Sequence, residues 1–248
     1  MKLNGSAALT SFFYKKNANN LPNWKLQFLV KCSSTEHELN NYLIQHKLIR
    51  DQPVAIFSGI QTHSFGRYGR KWISHHGGIW MSAVYPIFTK EFSTEIFSIS
   101  IASKLCEMLL RESINANIKW PNDIFYGSKK LIGFLPKVIT RGDEIKYVRI
   151  GIGFNLNNIV PKEGISLSQI LMRKNLCINN WSSKILQVIC NAIKSNSDKR
   201  RIIQTANEFL NKDYLPIKYR DDGWNIKDID SNGNLRIYKN NYLKILRL

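Results

Sequence analysis

KWPNDIFYGSKKLIG, residues 119–133, begins where a short apolar strand (ANIKW, 116–120) runs into a tight turn and ends inside a second, longer one. Pro121, Asn122 and Asp123 favour a turn for separate reasons: proline fixes φ, and Asn and Asp side chains bond their own backbone. The turn leaves one carboxylate, Asp123, close in sequence to Lys119, Lys129 and Lys130. Such a carboxylate can hold an ammonium group or share a Mg²⁺ ion with phosphate. The lysine pair opens KKLIGFLPKVIT (129–140), and a turn at RGDE (141–144) returns the chain as IKYVRIGIGFNL (145–156). This pattern predicts an antiparallel pair. Glycines within GIGFNLN (151–157) mark a close approach to the backbone, where Asn155 adds a donor and an acceptor.

Working outward, CSSTEHELNNYLIQHKL (32–48) carries a helix-start signature. Ser33 or Thr35 is the expected cap, and Leu39, Tyr42, Leu43 and His46 recur at helical spacing. PVAIFS (53–58) and GIWMSAVYP (78–86) read as strands. STEIFSISIASKLCEMLLRES (93–113) reads as a long helix with one apolar stripe through Ile96, Ile99, Ala102, Leu105, Cys106 and Leu109. Three helical stretches follow, SLSQILMRK, WSSKILQVICNAIKS and DKRRIIQTANEFLN. Beyond Pro216, IKYR, WNIKDID, LRIYK and LKILRL read as short strands, with SNGN (231–234) as a hairpin turn. The expected division is therefore a mixed domain over 1–212 and a small β domain over 213–248.

The 36 Lys and Arg against 18 Asp and Glu give a net charge of +18, which favours acidic partners. The cations are spread along the whole chain, as on a solvated surface, rather than massed in one tail. Cys32, Cys106, Cys177 and Cys190 lie far apart with no CxxC pair, which reads as reduced thiols in a cytoplasmic protein. No apolar run reaches the roughly 18 residues needed to span a bilayer. Between the two strands at 53–58 and 78–86 lies QTHSFGRYGRKWISHHGG (61–78). Its glycines permit sharp turns, and Arg67 and Arg70 present planar charged forks suited to phosphate or carboxylate, with Trp72 to pack on. Neither a Walker A loop nor a dinucleotide fingerprint occurs. The residue types point to nucleotide use through binding and electrostatic stabilisation, without a covalent enzyme intermediate.

Taken in order, SST (33–35), Q…GRYGRKW…GG (61–78), KWPND…KKLIG (119–133) and GIGFNLN (151–157) resemble the biotin protein ligases in their short form. The resemblance runs from about residue 30 to 157, and the β-rich tail fits that family's small C-terminal domain. It implies an α+β fold: a mixed, largely antiparallel sheet with helices mainly on one face, as in class II synthetases, plus a small SH3-like β-barrel. It also implies a reaction in which ATP and biotin, with Mg²⁺, form biotinyl-5′-AMP. The acyl group then passes to one lysine of a biotin carboxyl carrier protein, that of acetyl-CoA carboxylase.

On this resemblance Ser34, Thr35 and Gln61 contact the biotin head. Arg67 retains the intermediate, Lys130 bridges biotin carboxyl and phosphate, and Gly133 admits the ligand. Arg70, Trp72 and Asn155 serve the nucleotide, and Asp123 is the metal candidate. Only about 30 residues precede SST, so no DNA-binding domain and no specific DNA binding are expected; a monomer or homodimer acting in the cytoplasm is. The sequence departs from the family pattern at Glu36 (usually Asn), at Ser64 and Phe65 (usually Gly-Arg) and at Lys137 (often Glu). A stiffer loop holding the adenylate with one arginine fewer is the expected consequence. Two rival readings are a lipoate- or octanoate-type ligase, against which KWPND speaks, and a basic nucleic-acid-binding protein, which charge and GRYGR alone support.

Overall fold

A computed structural model of the chain describes residues 5–18, 20–49, 52–89, 92–141, 144–220 and 222–247. In chain order the elements are α1 (Ala7–Asn17), β1 (Lys25–Leu29), α2 (Thr35–Gln45), β2 (Val54–Ser58), β3 (Ile79–Thr89), α3 (Thr94–Leu110), β4 (Asn117–Lys119), β5 (Asp123–Tyr126), β6 (Lys129–Arg141), β7 (Glu144–Phe154), α4 (Leu167–Ile170), α5 (Ile178–Lys194), α6 (Lys199–Phe209), α7 (Ile217–Arg220), β8 (Asn225–Ile229), β9 (Leu235–Lys239) and β10 (Tyr242–Leu246). Gly142 and Asp143 of the expected RGDE turn lie outside the described residues.

The chain forms two compact units, Met1–Glu91 with Ser128–Cys190, and Phe92–Gly127 with Asn191–Leu248. In the first, the strands run β1-β2-β3-β7-β6. Only β1 and β2 are parallel; the other neighbours are antiparallel, so the sheet is mixed and largely antiparallel. Side chains alternate across a strand, and the register sorts the two faces. One carries Phe57, Met81, Ile152 and Phe154, all buried. There α5 packs its Trp181 edge-on to Phe154, with ring centroids 5.9 Å apart. Beside α5 lies α1, whose Thr10 hydroxyl donates to Asn179 Oδ1 at 3.1 Å. On the other face Leu39 of α2 packs on Val54, Ile56 and Val84. Leu39 is fully buried, which contributes roughly 1.5–3 kcal/mol. The helix covers only part of this face, and the rest is where the site lies.

In the second unit, α3 is buried nearly all round rather than along one stripe: Phe97, Ile101 and Met108 are buried with the expected positions. Small serines make that possible, because each finds a carbonyl or hydroxyl nearby. Ser103 Oγ donates to Ile99 O at 2.9 Å, for example. β4 and β5 pair as a hairpin with Lys119 opposite Asp123. At the C-terminal end β10, β9 and β8 form an antiparallel sheet, with Ile226, Ile229, Leu235 and Ile237 buried. Asn207 of α6 bonds the backbone of Ile229 through both its amide atoms.

Two local expectations are corrected, and one unassigned segment is placed. The cap of α2 is Ser34, whose Oγ accepts from Glu36 N–H, not Ser33 or Thr35. IKYR is a single helical turn, α7, not a strand; Tyr219 N–H bonds Pro216 O at 2.8 Å, so proline opens a turn there. IFY after the Pro-Asn-Asp turn is a strand of its own, β5.

Candidate active site on a glycine floor

In register on the α2 side of the sheet, Gly133 of β6 faces Gly153 of β7, Leu135 faces Gly151, and Lys137 faces Arg149. Across from them on β3 stand Trp80, Ser82 and Val84. The row thus passes from aliphatic side chains under α2 to bare backbone at the three glycines. Trp72, carried by the 61–74 loop, lies over this floor. A Cβ at Gly153 would stand 2.6 Å from Trp72 Cε2, and one at Gly133 2.9 Å from Trp72 Cζ3 and 2.9 Å from Lys130 Nζ. Only glycine admits these groups so close. The ammonium of Lys130 sits 4.7 Å from the centre of the Trp72 ring, in cation–π range. The indole Nε1 is buried and has no hydrogen-bond partner among the described residues.

A directed chain of hydrogen bonds ties the head of α2 to this loop. Thr35 donates to Gln61 Oε1 twice, from its N–H at 2.7 Å and from its hydroxyl at 3.0 Å. Because a hydroxyl has one proton, Ser82 Oγ, 2.9 Å from Thr35 Oγ1, must donate to it. Gln61 Nε2 donates onward to Ser74 Oγ at 2.9 Å. Ser64 Oγ donates to the carbonyl of Trp72 at 2.7 Å, so Ser74, 2.8 Å from Ser64, donates to Ser64. The N–H of Thr35 requires an acceptor and fixes the Gln61 amide orientation. One Gln61 N–H is left over for a ligand. Ser34 and Thr35 are buried; Ser34 is engaged as the helix cap, so Thr35 and Gln61 are the polar pair facing the floor.

Lys130 is held at the start of β6 through its backbone. Its N–H bonds Glu163 O at 2.9 Å, and its carbonyl accepts from Ile165 N–H at 3.0 Å and from Asn155 Nδ2 at 3.2 Å. Asn155, nearly fully buried, also accepts from Asn158 Nδ2 at 3.0 Å. Its amide is therefore spent on positioning Lys130 and the 155–158 turn. Arg67 and Arg70 lie at the tip of the loop beside the exposed Tyr68 ring, at 4.9 and 6.0 Å from its centre. Neither forms an ion pair among the described residues. Asp123 belongs to the other unit, in the β4–β5 hairpin. No group of three His, Cys, Asp or Glu able to hold a metal occurs among the described residues. Ser74, Ser82 and Arg149 escaped the sequence reading; a serine at 82 inside a buried apolar run was the available signal.

The fold has known counterparts. The fold matches biotin protein ligase from Aquifex aeolicus in complex with biotin and ATP, at a TM-score of 0.68 and 21% identity, over 90% of this chain and 95% of that one. It also matches the Leishmania major biotin protein ligase in complex with biotinyl-5-AMP, at 0.60 and 18%, over 90% and 99%. In sequence, the bifunctional ligase/repressor BirA of Bacillus subtilis is 34% identical over 153 residues, 57% of this chain and 44% of that protein. The human biotin–protein ligase is 27% identical over 119 residues, 45% and 16% respectively. The chain thus spans less than half the length of the curated relatives it matches. Residues 29–155 fit the profile of the biotin/lipoate A/B protein ligase family, and this chain belongs to that family.

Proposed function

We propose that the chain is a biotin protein ligase that joins biotin to AMP and passes the biotinyl group to a lysine of a biotin carboxyl carrier protein. The observation that carries this is the single sheet face on which the Thr35–Gln61 pair, the glycines at 133, 151 and 153, and Lys130 with Trp72 meet. A polar pair is set to bond the head of a ligand, the glycines let Trp72 and Lys130 close down on the sheet beside it, and the Lys130 cation stands by its tail.

In the first step a biotin carboxylate oxygen attacks the α-phosphorus of ATP and the bond to the β-phosphate oxygen breaks, releasing diphosphate. Both reactants are anions. Lys130, and Arg67 from the loop tip, reduce their repulsion and stabilise the charge gathering on phosphate. Arg70 and Trp72 bear on the nucleotide side, with Asn155 positioning Lys130. Asp123 would be the candidate to hold a Mg²⁺ ion, which would supply further charge neutralisation. In the second step the carrier's neutral ε-amine attacks the acyl carbon, AMP leaves, and the nitrogen loses its proton. The net charge of +18 speeds encounter with an acidic carrier. The four free cysteines suit a reducing cytoplasm, and no described helix is long and apolar enough to cross a membrane.

ATP–diphosphate exchange tests the reading, run with biotin, lipoate and octanoate in parallel. Exchange with biotin alone, falling at least 10²-fold in Lys130→Ala as expected for loss of a transition-state cation, is the expected result. Exchange with lipoate or octanoate in place of biotin would assign the chain to the other branch of its family, and silence with all three would refute ligase activity.

A further inference from the structure

Glu36 follows Thr35, which bonds Gln61 and Ser82, in the first turn of α2. Arg149 on β7 holds it: Arg149 Nη2 donates to Glu36 Oε1 at 2.7 Å, and Nη1 donates to Asn40 Oδ1, one turn along α2, at 2.6 Å. Arg149 is about nine-tenths buried, at 9% exposure, and Glu36 only partly so; the clamp ties the first turn of α2 to the sheet. It commits one carboxylate oxygen only. The other, Oε2, lies 4.0 Å from the point where a Cβ of Gly151 would be, and Ser82 Oγ lies 3.9 Å from the same point. Leu135 Cβ lies at 4.0 Å as well, and apart from the chain neighbours of Gly151 no residue comes closer than these, so the missing side chain leaves Oε2 in open contact distance of the strand rather than serving tight packing. Oε2 has no hydrogen-bond partner among the described residues, and the Ser82 hydroxyl proton is already directed to Thr35.

Above Gly151, then, stands a carboxylate oxygen that no described residue bonds, on the sheet face that Thr35 and Ser82 share. The carboxylate's charge is balanced by Arg149, so a neutral ligand is admitted without net charge being buried. We propose that Glu36 is a specificity-determining residue: with Oε1 anchored by Arg149, it holds Oε2 over Gly151 as the acceptor for a ring N–H of a cyclic urea. This rests on the biotin reading above and assigns one of biotin's two ureido N–H groups to a charge-assisted bond. An amide at position 36 would bond Arg149 through its oxygen and turn its NH₂ toward the ring, setting donor against donor. Arg149 acts as a positioning residue for Glu36.

The test is isothermal titration calorimetry of biotin and its two mono-N-methylated ureido analogues against wild type, Glu36→Gln and Arg149→Met, with thermal melts of each. Wild type is expected to prefer biotin over one of the two analogues. Glu36→Gln should bind biotin roughly 10- to 100-fold more weakly, the range for losing a hydrogen bond to a charged group. That analogue should bind nearly as before, so the preference collapses. Arg149→Met, which frees the carboxylate to swing away, should lose part of the preference. Should Glu36→Gln melt far below wild type, Glu36→Asp keeps the charge but withdraws the oxygen, and it must show the same collapse. Biotin affinity within threefold of wild type in Glu36→Gln, or equal losses for biotin and both analogues, would overturn the assignment. Failure of the underlying reading looks different: wild type itself would not bind biotin, whatever stands at position 36.

Discussion

Replacing Gly153 by alanine puts one methyl group where the fold has reserved none. The added Cβ would lie 2.6 Å from Trp72 Cε2, 2.7 Å from Cζ2 and 2.8 Å from Nε1, whereas ordinary contact begins at 3.4 Å. The indole must retreat by most of an ångström. It sits on a loop and can do so without opening the sheet, and alanine adds no strain at a strand position of β7. The fold should therefore change in stability by less than about 1 kcal/mol. Chemistry is less forgiving: a misplacement on the order of 1 Å in a positioning group costs about 10²-fold in rate, or about 2.7 kcal/mol. ATP–diphosphate exchange with biotin should thus fall about 10²-fold in Gly153→Ala while the melting temperature moves by no more than a few degrees. Exchange within threefold of wild type would show that Trp72 leaves the floor during turnover. A loss of activity accompanied by a large drop in melting temperature would show instead that the indole is part of the core.

Thr35→Val keeps the shape but removes a hydroxyl bonded to Gln61 and Ser82. A stability loss of about 1–2 kcal/mol and biotin binding at least tenfold weaker are expected by melting and calorimetry, and unchanged binding would remove Thr35 from the head-group site. Burial, reinforced by Glu107, pushes the Cys106 thiol well up; burial first, then Cys190, does the same to the Tyr14 phenol. The folded chain keeps both protons while the unfolded chain releases them, so these contributions are intact at neutral pH. Above pH about 9 stability falls by up to about 1.4 kcal/mol per pH unit for each group. Denaturant midpoints between pH 8 and 11 should show this slope, and Tyr14→Phe should flatten it above pH about 10. Alkylation followed by mass spectrometry should label exposed Cys177 first. Cys32, whose thiol burial pushes up, should follow slowly, and buried Cys106 and Cys190 should react only on unfolding.

What the sequence made legible was what depends on local pattern. The long strands β3, β6 and β7 and helices α3, α5 and α6 fall where period and composition put them. β1 and α1 were not read. KLQFL is too short to show a pattern, and α1 is amphipathic only weakly, held by Tyr14 and Thr10 reaching to α5, far along the chain. Within the site, the glycines at 133, 151 and 153 were conspicuous because nothing in a strand needs them. Arg149 was not, since its meaning lies in an ion pair with Glu36 across 113 residues. Asn155 was legible as a polar group at a strand end, but its amide bonds Lys130 O and Asn158. Long-range pairing, not residue type, decides such roles.

The same distinction bears on the loop that departs from its family's pattern. Serine at 64 does what a glycine cannot: its hydroxyl donates to Trp72 O at 2.7 Å while its carbonyl accepts from Trp72 N–H at 3.1 Å. Gly66 N–H then bonds Arg70 O at 2.6 Å, so the loop is a closed ribbon from base to tip. At the tip Tyr68 adopts φ 59°, a left-handed conformation that costs a non-glycine residue roughly 1–2 kcal/mol, and its ring stands near both Arg67 and Arg70. On the proposed ligase function, the loop with Phe65 in place of an arginine would bring one cation fewer to the phosphates. Its base, however, is already ordered with Trp72 over the glycine floor, and a group ordered before binding loses less entropy on binding. Weaker electrostatic retention and lower ordering cost act in opposite directions on adenylate affinity. The substitutions at 64 and 65 are therefore coupled, and restoring arginine at 65 alone would add charge to a ribbon whose base stays fixed by Ser64.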